Sequence, residues 1–532
     1  MSVTIKVSPK FKEELNGRIL FFVDHPKKAP EDPEVPFEPD LYKRGGFGMS
    51  GCPVFGLTVY GITGGDEICL DENAESIFGS PFPFADIPHE KLEVQAFFIR
   101  YHKFKRKDGH EIWGMQDYGG GGHYARNPFN LYSKVKKVNY GKSDVKLILD
   151  QMIEPEYELK EGEVYQQGNY EDHGLVRYFK MKSELLSDFW GEDIYLGANV
   201  LLPANYDPKK KYPMILCQGH FPGATAPFRY DVELREREQG LTEYWNSGKA
   251  PEVICVNFRH ANMFYDDSYM VNSANLGPYG DAFVTELVPA LEAKYGGLGK
   301  PEGRILVGGS TGGWISATLQ LFYPDFFGGT WPGFADSLSF HTHQLIDLYE
   351  DENAYEIKKE WRSIPRPGAR DIRGNILWTY REENYYELAI GGDLARGMGQ
   401  FGIYNAVFSP CGEDGLPLEV YNTLTGEINK DVVQYWSEHY DLTEYIERNH
   451  EWLIPKIRGK FHLRGGDMDN FYLNLGHYAM GEVLEKYEAG GYAVTFPRVG
   501  HDGNITIIDM LEEMREYLKK TLKKKRTAKK AK

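Results

Sequence analysis

The feature that most constrains the fold is a segment in which an apolar strand passes directly into a Gly-x-Ser-x-Gly turn and then into a helix. Residues 304–314 have the sequence RILVGGSTGGW, with Ser310 at the centre of the turn and a helix-like stretch over residues 316–322. A glycine-rich strand end is also typical of ordinary tight turns. A strained turn that exposes a serine hydroxyl, however, requires neighbours without side chains, and Gly308 and Gly312 meet this requirement. The segment therefore predicts a serine nucleophile on a strand-to-helix turn.

Strands and helices alternate along the chain from about residue 190. This alternation is typical of a mostly parallel sheet with helices on both faces. Helices are predicted over residues 279–295 and, at the end of the chain, over residues 504–522. The predicted strands are 194–202, 214–217, 253–257, 305–308, 327–331, 460–464 and 493–496. The sequence therefore predicts an α/β class in which the serine turn follows one of the parallel strands.

Two further segments interrupt or precede this alternation. Residues 1–185 contain three β-like runs, 17–23, 54–60 and 92–100, separated by turns rich in Pro and Gly. We interpret them as an N-terminal β-rich domain that either binds substrate or covers the rest of the molecule. Residues 341–453 are too long for a loop in a compact domain and are interpreted as an inserted lid or cap. The catalytic domain then extends over residues 186–532.

The chain has 532 residues and a net charge of −17, which allows a large core and disfavours nucleic acid as a partner. Residues 519–532 form a basic tail, with nine Lys or Arg and no acidic residue. We interpret this tail as a solvated helix end without an assigned function. The five cysteines are scattered and contain no CxxC pair. No signal peptide and no membrane span is recognised, so the expected location is cytoplasmic.

A serine nucleophile requires a base, and the base requires an orienting carboxylate. Strand 460–464 ends in the sequence GGDMDN, which offers two acids, Asp467 and Asp469. We prefer Asp469, because the spacing from Gly466 lets the turn bring this carboxylate back toward the sheet. Asp467 would lie closer to the strand and stays the alternative.

The base is expected in a loop at the carboxyl end of a later strand. Strand 493–496 leads to His501, which lies just before the closing helix between two glycines, Gly500 and Gly503. An imidazole with an ordinary pKa near 6.5 can shuttle a proton at neutral pH. His501 is therefore the predicted general base.

The tetrahedral intermediate of acyl transfer needs hydrogen-bond donors for its oxyanion. The backbone N–H of Thr311, directly after the nucleophile, is the first predicted donor. The second is expected in the loop after strand 214–217, where the backbone of His220 or Phe221 is in place and Gly219 allows a close approach.

Other motifs in the sequence are weaker indications of a binding site. The runs Gly119–Gly122 and G-x-G-x-x-G at 397–402 resemble phosphate-binding loops but lack the required neighbours, so no nucleotide is predicted. His341 and His343 have no evident third ligand, and neither a metal nor an organic cofactor is predicted. Four aromatic residues of the insertion are candidates either for stacking on a sugar or phenolic ring or for the core of the lid: Trp361, Trp378, Tyr385 and Tyr386.

Several of these segments together resemble the putative-esterase family of α/β-hydrolases, which includes esterase D and enterochelin esterase-like proteins. The similar segments are 266–269, 271–281, 309–314 and 466–472, and they are those of a subgroup with an N-terminal β-domain. The resemblance implies the α/β-hydrolase fold and a Ser-Asp-His esterase with varied substrates. The chain departs from the family pattern at Gln218-Gly219, where His-Gly is usual.

The sequence therefore predicts a serine esterase that cleaves a small-molecule or carbohydrate-linked ester through an acyl-enzyme. An acyltransferase or a serine peptidase would use the same triad. A binding protein with a vestigial hydrolase domain is the alternative from another class. Neither the ester nor the oligomeric state can be read from the sequence.

Overall fold

A computed structural model describes residues 2–27, 38–44, 51–71, 74, 76–219, 226–232, 236–265, 267–501, 503 and 505–530. In chain order the strands are β1 Ser2–Val7, β2 Leu15–Asp24, β3 Val54–Ile62, β4 Glu67–Asp71, β5 Phe78–Ser80, β6 Lys91–Arg100, β7 His102–Lys105, β8 Glu111–Gly114, β9 Leu131–Tyr132, β10 Lys136–Asn139, β11 Val145–Leu149, β12 Gln151–Met152, β13 Val176–Ser183, β14 Ile194–Leu201, β15 Met214–Gln218, β16 Ile254–Arg259, β17 Asn272–Ser273, β18 Gly277–Pro278, β19 Arg304–Gly309, β20 Gly329–Gly333, β21 Glu356–Lys359, β22 Arg362–Pro365, β23 Pro367–Arg370, β24 Ile376–Thr379, β25 His462–Gly466 and β26 Tyr492–Phe496.

The α-helices are α1 Leu41–Arg44, α2 Glu184–Trp190, α3 Leu241–Asn246, α4 Tyr279–Ala282, α5 Val288–Tyr295, α6 Thr311–Phe322, α7 Tyr380–Gly391, α8 Gln400–Phe408, α9 Lys430–Tyr440, α10 Leu442–Ile457, α11 Asn474–Lys486 and α12 Ile507–Lys530. A π-helical turn, Phe283–Leu287, joins α4 to α5. The predicted helix over 279–295 is therefore continuous but wider at its centre.

Eight strands form the main sheet, in the order β13-β14-β16-β15-β19-β20-β25-β26. The pairs from β16 to β26 are parallel, whereas β14 runs antiparallel to both of its neighbours. All seven strands predicted for this sheet are present, with ends shifted by a few residues. The predicted α/β-hydrolase fold is confirmed. Because neighbouring parallel strands end at the same edge, the loops after β15, β19, β20, β25 and β26 meet there.

The main sheet begins earlier than the sequence pattern indicated. Strand β13 lies ahead of the predicted boundary at residue 185, yet it pairs with β14 over its full length. Its side chains alternate only partly between buried and half-buried positions. The main sheet therefore includes residues 176–183.

The described residues of the N-terminal segment form three sheets. One has three strands in the order β11-β1-β4, one has seven in the order β12-β9-β6-β2-β3-β5 with β10 paired to β6, and one is the hairpin β7–β8. The three predicted strands correspond to β2, β3 and β6. One face of the larger sheet has its own apolar cluster, which includes Ile19, Phe21 and Phe98. The other face contributes Phe97 to a cluster that also contains Leu216 of the main sheet. The two parts of the chain thus share one core.

Arg18 of β2 ties the N-terminal sheet to the insertion. Its side chain is 1% exposed, and its guanidinium donates to the carbonyl oxygens of Leu388, Ala389 and Ile390 at the end of α7. The guanidinium also donates to the hydroxyl of Thr58 over 2.9 Å. The last carbonyls of a helix lack intrahelical partners and carry partial negative charge, so a buried cation there is favourable. Burial lowers the pKa of Arg18 to about 10.

Replacement of Arg18 by methionine is expected to destabilise the protein by about 3 kcal/mol, because the carbonyl groups at the buried end of α7 lose the guanidinium as a donor. The midpoint of thermal unfolding measures the effect. Arg362→Met, on the exposed strand β22, is the matched control and should leave the midpoint unchanged. Equal midpoints for the two variants would contradict a role of Arg18 in joining the two parts.

Residues 341–453 contain two hairpins, β21–β22 and β23–β24, and the helices α7, α8, α9 and most of α10. Helix α7 packs on β3 and β5 of the N-terminal sheet. Helix α10 packs on α6 and α11, as an ordinary crossover helix of the main sheet does. The insertion is therefore held between the N-terminal sheet and the edge of the main sheet where the loops meet.

The glycine motif at 397–402 surrounds a side chain of the protein itself. The carboxylate of Glu387, on α7, accepts the backbone N–H groups of Phe401 (3.0 Å) and Gly402 (2.6 Å) at the start of α8. A Cβ atom at Gly397 or Gly399 would collide with Glu387. The motif thus provides the helix N-terminus that a phosphate would use, but an internal carboxylate occupies it.

A pH dependence of stability follows from this carboxylate. Burial, with the charge of the neighbouring Glu383, raises the pKa of Glu387 from 4.5 to about 8. The folded protein therefore retains a proton that the unfolded chain releases between these values, and stability falls as the pH rises from about 4.5 to 8. Glu387→Gln resembles the protonated form and should reduce this loss by about 1–3 kcal/mol.

Melting temperatures measured between pH 5 and pH 8.5 test this dependence. The advantage of Glu387→Gln over the wild type should grow with pH, whereas Glu451→Gln, at an exposed position of α10, should follow the wild type throughout. Parallel curves for Glu387→Gln and the wild type would rule out a raised pKa at this site.

The other glycine-rich run, at residues 119–122, and the histidine pair also make contacts with other parts of the protein. The carboxylate of Asp117 accepts the N–H groups of Gly119 (2.8 Å) and Gln167 (2.6 Å), which orders the other glycine-rich run. His343 is buried in an apolar environment that lowers its pKa to about 3. His341 instead contacts Asp347 at the surface. The glycine-rich run and the histidine pair thus both make contacts within the protein itself.

The closing helix α12 begins at residue 507 and extends through the described part of the basic tail. Its predicted N-terminal residue, Asn504, lies outside the described residues. Within the part of the chain that the structure describes, no helix is long and apolar enough to cross a membrane.

Candidate active site

Ser310 lies between β19 and α6 in a strained conformation. Its backbone angles are φ 58° and ψ −126°, a region that residues with a side chain rarely adopt. The turn is held by the N–H of Ser310, which donates to the carbonyl of Gly333 on β20 over 3.0 Å. The Ser310 carbonyl in turn accepts the N–H groups of Gly313 and Trp314 in the first turn of α6. Strain of this kind persists where the surrounding structure fixes it, and it is concentrated at functional sites.

Both flanking glycines of the motif are required by close backbone contacts. A Cβ atom at Gly308 would overlap the carbonyl group of Gly312, and one at Gly312 would overlap the carbonyl of Gln218 on β15. Neither obstacle is a flexible side chain that could move away. The glycines thus allow the turn to fold tightly against the neighbouring strand, which leaves Ser310 half-buried at the edge where the loops meet.

An imidazole and a carboxylate meet in the loops after β26 and β25. His501 Nδ1 lies 2.8 Å from Asp469 Oδ2. The Asp469 side chain is 1% exposed and that of His501 is 21% exposed, so the imidazole faces a more open space than its partner. The other carboxylate oxygen of Asp469 accepts the N–H groups of Phe471 and Leu473. These bonds fix the carboxylate, and the carboxylate fixes the orientation of the ring.

Asp467, the alternative acid, has a different contact. Its carboxylate accepts the N–H of Arg498 over 2.6 Å and so joins the loops after β25 and β26. The loop that contains both acids is also held from the insertion by Arg370, which donates to the carbonyls of Asp467 and Asp469. The structure therefore places the carboxylate of Asp469, and not that of Asp467, in contact with Nδ1 of His501.

Of the predicted oxyanion donors, Thr311 is described and the other two are not. Thr311 is fully buried as the first residue of α6, where unpaired N–H groups and the helix dipole favour negative charge. His220 and Phe221 lie outside the described residues. Gln218, which ends β15 just before them, is buried with no hydrogen-bond partner for its side-chain amide among the described residues.

A carboxylate that the sequence analysis did not consider contacts the serine. Asp336 lies three residues after β20 and is 2% exposed. Ser310 Oγ donates to Asp336 Oδ1 over 3.4 Å, and Thr311 Oγ1 donates to Oδ2 over 2.8 Å. The rule that selected Asp469 and His501, a polar residue in a loop after a parallel strand, applies equally to Asp336. The rule places Asp336 at this edge of the sheet but does not indicate its contact with Ser310.

The rim of the site is apolar and aromatic. The ring of Phe471 stands at 85° to the His501 ring, with centroids 5.0 Å apart, and Trp378 lies beyond Phe471 at 6.5 Å. Ile372, at the tip of the hairpin β23–β24, is 58% exposed and lies next to Gly500. A cavity of about 330 Å³ adjoins the serine turn and is lined in part by Gly308, Gly309, Phe334 and Gly503. The lining of the cavity also includes the charged residues Arg229, Glu238 and Arg464.

Of the four aromatic residues of the insertion, only Trp378 has a recorded contact with this rim. Tyr386 is hydrogen-bonded to Tyr124 of the N-terminal segment, and Tyr385 donates to the carbonyl of Leu424. Trp361 is 88% exposed at the tip of the other hairpin. Tyr385 and Tyr386 therefore belong to the packing of the insertion.

Residues 194–366 match the model of the family described as "Putative esterase". This part of the chain is a putative-esterase domain. The match spans the serine turn, and it confirms the predicted family and the enzyme class of carboxylic ester hydrolase. Ser310 lies within the matched residues, whereas Asp469 and His501 follow them in the chain.

The chain is also similar to several solved structures. They include a ferulic acid esterase (15% identity, 65% of this chain and 98% of that one, TM-score 0.38). Two others are a fluorophosphonate-binding serine hydrolase of Staphylococcus aureus (12%, 65% and 99%, TM-score 0.36) and an S-formylglutathione hydrolase of Agrobacterium tumefaciens (13%, 66% and 95%, TM-score 0.34). TM-scores this low do not establish a shared activity. No curated protein sequence matches the chain.

Proposed function

We propose that the esterase domain hydrolyses carboxylic esters through an acyl-enzyme, with Ser310 as nucleophile, His501 as general base and Asp469 as the orienting acid. The observation that carries this proposal is the 2.8 Å contact between His501 Nδ1 and Asp469 Oδ2 at the sheet edge that also holds the strained Ser310. With Nδ1 bound to the carboxylate, Nε2 is the nitrogen that can accept a proton.

The reaction proceeds in two halves. The oxygen of Ser310 forms a bond to the ester carbonyl carbon while its proton passes to Nε2 of His501. The resulting oxyanion is stabilised by the N–H of Thr311 and the dipole of α6. The carbon–oxygen bond to the alcohol then breaks, and His501 returns the proton to the departing alcohol. Water repeats the sequence on the acyl-serine and releases the acid.

The second oxyanion donor is proposed from the sequence alone, as the backbone of His220 or Phe221 after β15. The insertion acts as a cap in this proposal, because Arg370 holds the acid loop and the hairpin β23–β24 forms part of the rim. The apolar rim around His501 fits a small-molecule ester with an apolar or aromatic group. A screen of acetyl, butyryl and cinnamoyl esters, free and attached to sugars, would identify that group.

Partitioning of a common acyl group tests the acyl-enzyme. Phenyl acetate and p-nitrophenyl acetate differ only in their leaving groups, so in methanol–water mixtures both should give the same ratio of methyl acetate to acetate. Ratios that depend on the leaving group, after correction for the uncatalysed reaction, would contradict a shared acetyl-enzyme. Transfer to added alcohols in preference to water would identify an acyltransferase, and cleavage of peptide anilides a peptidase. No turnover of any ester would favour a binding protein.

A further inference from the structure

The carboxylate of Asp336 is the centre of a hydrogen-bond cluster behind the proposed nucleophile. Besides Ser310 and Thr311, its donors are the Tyr269 hydroxyl at 2.7 Å and the Gln400 amide at 3.2 Å. The Tyr404 hydroxyl is also hydrogen-bonded to Asp336, and all of these donors are uncharged. A carboxylate buried to this extent is costly unless several donors compensate it, so these hydrogen bonds stabilise the side chain of Asp336 in its buried position.

The charge of this carboxylate does not help to stabilise an oxyanion. A negative group directly behind Thr311 opposes the development of negative charge at the N–H of the same residue. Its contribution must therefore be geometric. Thr311 is attached through its side chain to Asp336, and the N–H of Asp336 donates to the carbonyl of Ser310 over 3.2 Å. Ser310 and Thr311 are thus both hydrogen-bonded to one residue, Asp336.

The cluster also connects the insertion to the serine turn. Gln400 is the first residue of α8, the helix whose N-terminus is held by Glu387, and its amide donates to Tyr269 over 2.6 Å as well as to Asp336. The ring of Tyr404, one turn further along α8, lies 5.9 Å from that of Tyr269. Burial and the charge of Asp336 raise the pKa values of both tyrosines, which keeps them protonated as donors.

We propose that Asp336 is a positioning residue, which holds Ser310 and the N–H of Thr311 in the reactive geometry and transmits the placement of α8 to them. This inference rests on the proposed function. Asp336 is distinct from the acid of the triad, because Asp469 is the carboxylate recorded at His501. Misplacement of reacting groups by about 1 Å is enough to cost about 10²-fold in rate.

The test compares three variants by kcat and KM for p-nitrophenyl acetate and by the rate of labelling with a fluorophosphonate. Asp336→Asn keeps the size of the side chain but cannot accept hydrogen bonds from all the donors. Gln400→Leu removes one donor that lies outside the serine turn. Asp441→Asn is the matched control. Asp441 is fully buried and accepts bonds from Phe340 and Tyr349, which have no recorded contact with Ser310.

We expect Asp336→Asn to lower kcat and the labelling rate by about 10²-fold and Gln400→Leu by about 10-fold, with KM within about threefold of the wild type. Asp441→Asn should keep the wild-type kcat even if its melting temperature falls as far as that of Asp336→Asn. Wild-type kcat in both Asp336→Asn and Gln400→Leu, a change confined to KM, or an equal loss in Asp441→Asn would overturn the inference. Absence of labelling in the wild type would instead refute the proposed function.

Discussion

Ser310→Ala is expected to lower kcat for p-nitrophenyl esters by about 10⁵–10⁶-fold, the largest effect of any single substitution in the esterase domain. The alanine leaves no oxygen to form the acyl bond, so the residual rate comes only from binding and from the oxyanion donors. KM is expected to change little, since the hydroxyl contributes little to substrate binding. Steady-state kinetics with purified protein measure both constants.

The control for this substitution is Ser316→Ala on the same helix. Ser316 is also buried, and its hydroxyl donates to the carbonyl of Gly313 over 3.0 Å. We expect Ser316→Ala to keep kcat within about threefold, because it alters one neutral hydrogen bond behind the turn. A Ser310→Ala variant that retains more than a hundredth of the activity would contradict the assignment of the nucleophile.

Asp469→Asn is expected to lower kcat by about 10⁴-fold. The carboxylate accepts a hydrogen bond from the Nδ1–H group of His501, and this leaves Nε2 free to take the proton of Ser310. An asparagine can turn its amide NH₂ toward Nδ1, which places the proton on the wrong nitrogen. The backbone N–H groups of Phe471 and Leu473 can still bind the remaining oxygen, so the fold should be maintained.

The neighbouring acid provides the comparison for this prediction. Asp467→Asn keeps an oxygen for the N–H of Arg498 and is expected to change kcat by less than about threefold. Both substitutions lie in the same loop, so any general disturbance of that loop affects the two variants alike. If Asp467→Asn lost the larger part of the activity, the acid would be Asp467 and the preference for Asp469 would be wrong.

The alternation of elements and the serine turn could be predicted because their physical causes are local. A buried strand needs a short apolar run, and the turn needs glycine at Gly308 and Gly312, where even a methyl group would collide with backbone. Chain order and strand ends then narrowed the search to Asp469, Asp467 and His501. The choice between the two acids depends on how the turn after β25 folds, which a local sequence pattern does not determine.

Other features could not be derived because their causes are distant in the chain. Asp336 is stabilised by donors from residues 269 and 400, and nothing in its own surroundings indicates that these donors converge. The glycine motif at 397–402 is explained by Glu387, whose carboxylate it binds. Strand β13 joins the main sheet through its pairing with β14.

Identification of the residue that reacts with a fluorophosphonate tests the central claim most directly. The wild-type protein would be labelled, digested and analysed by peptide mass spectrometry, with Ser310→Ala treated in parallel. The proposed mechanism predicts one adduct per chain, on the peptide that carries Ser310, and none on the variant. An adduct on another residue, or ester hydrolysis that continues at the full rate without any adduct, would contradict it.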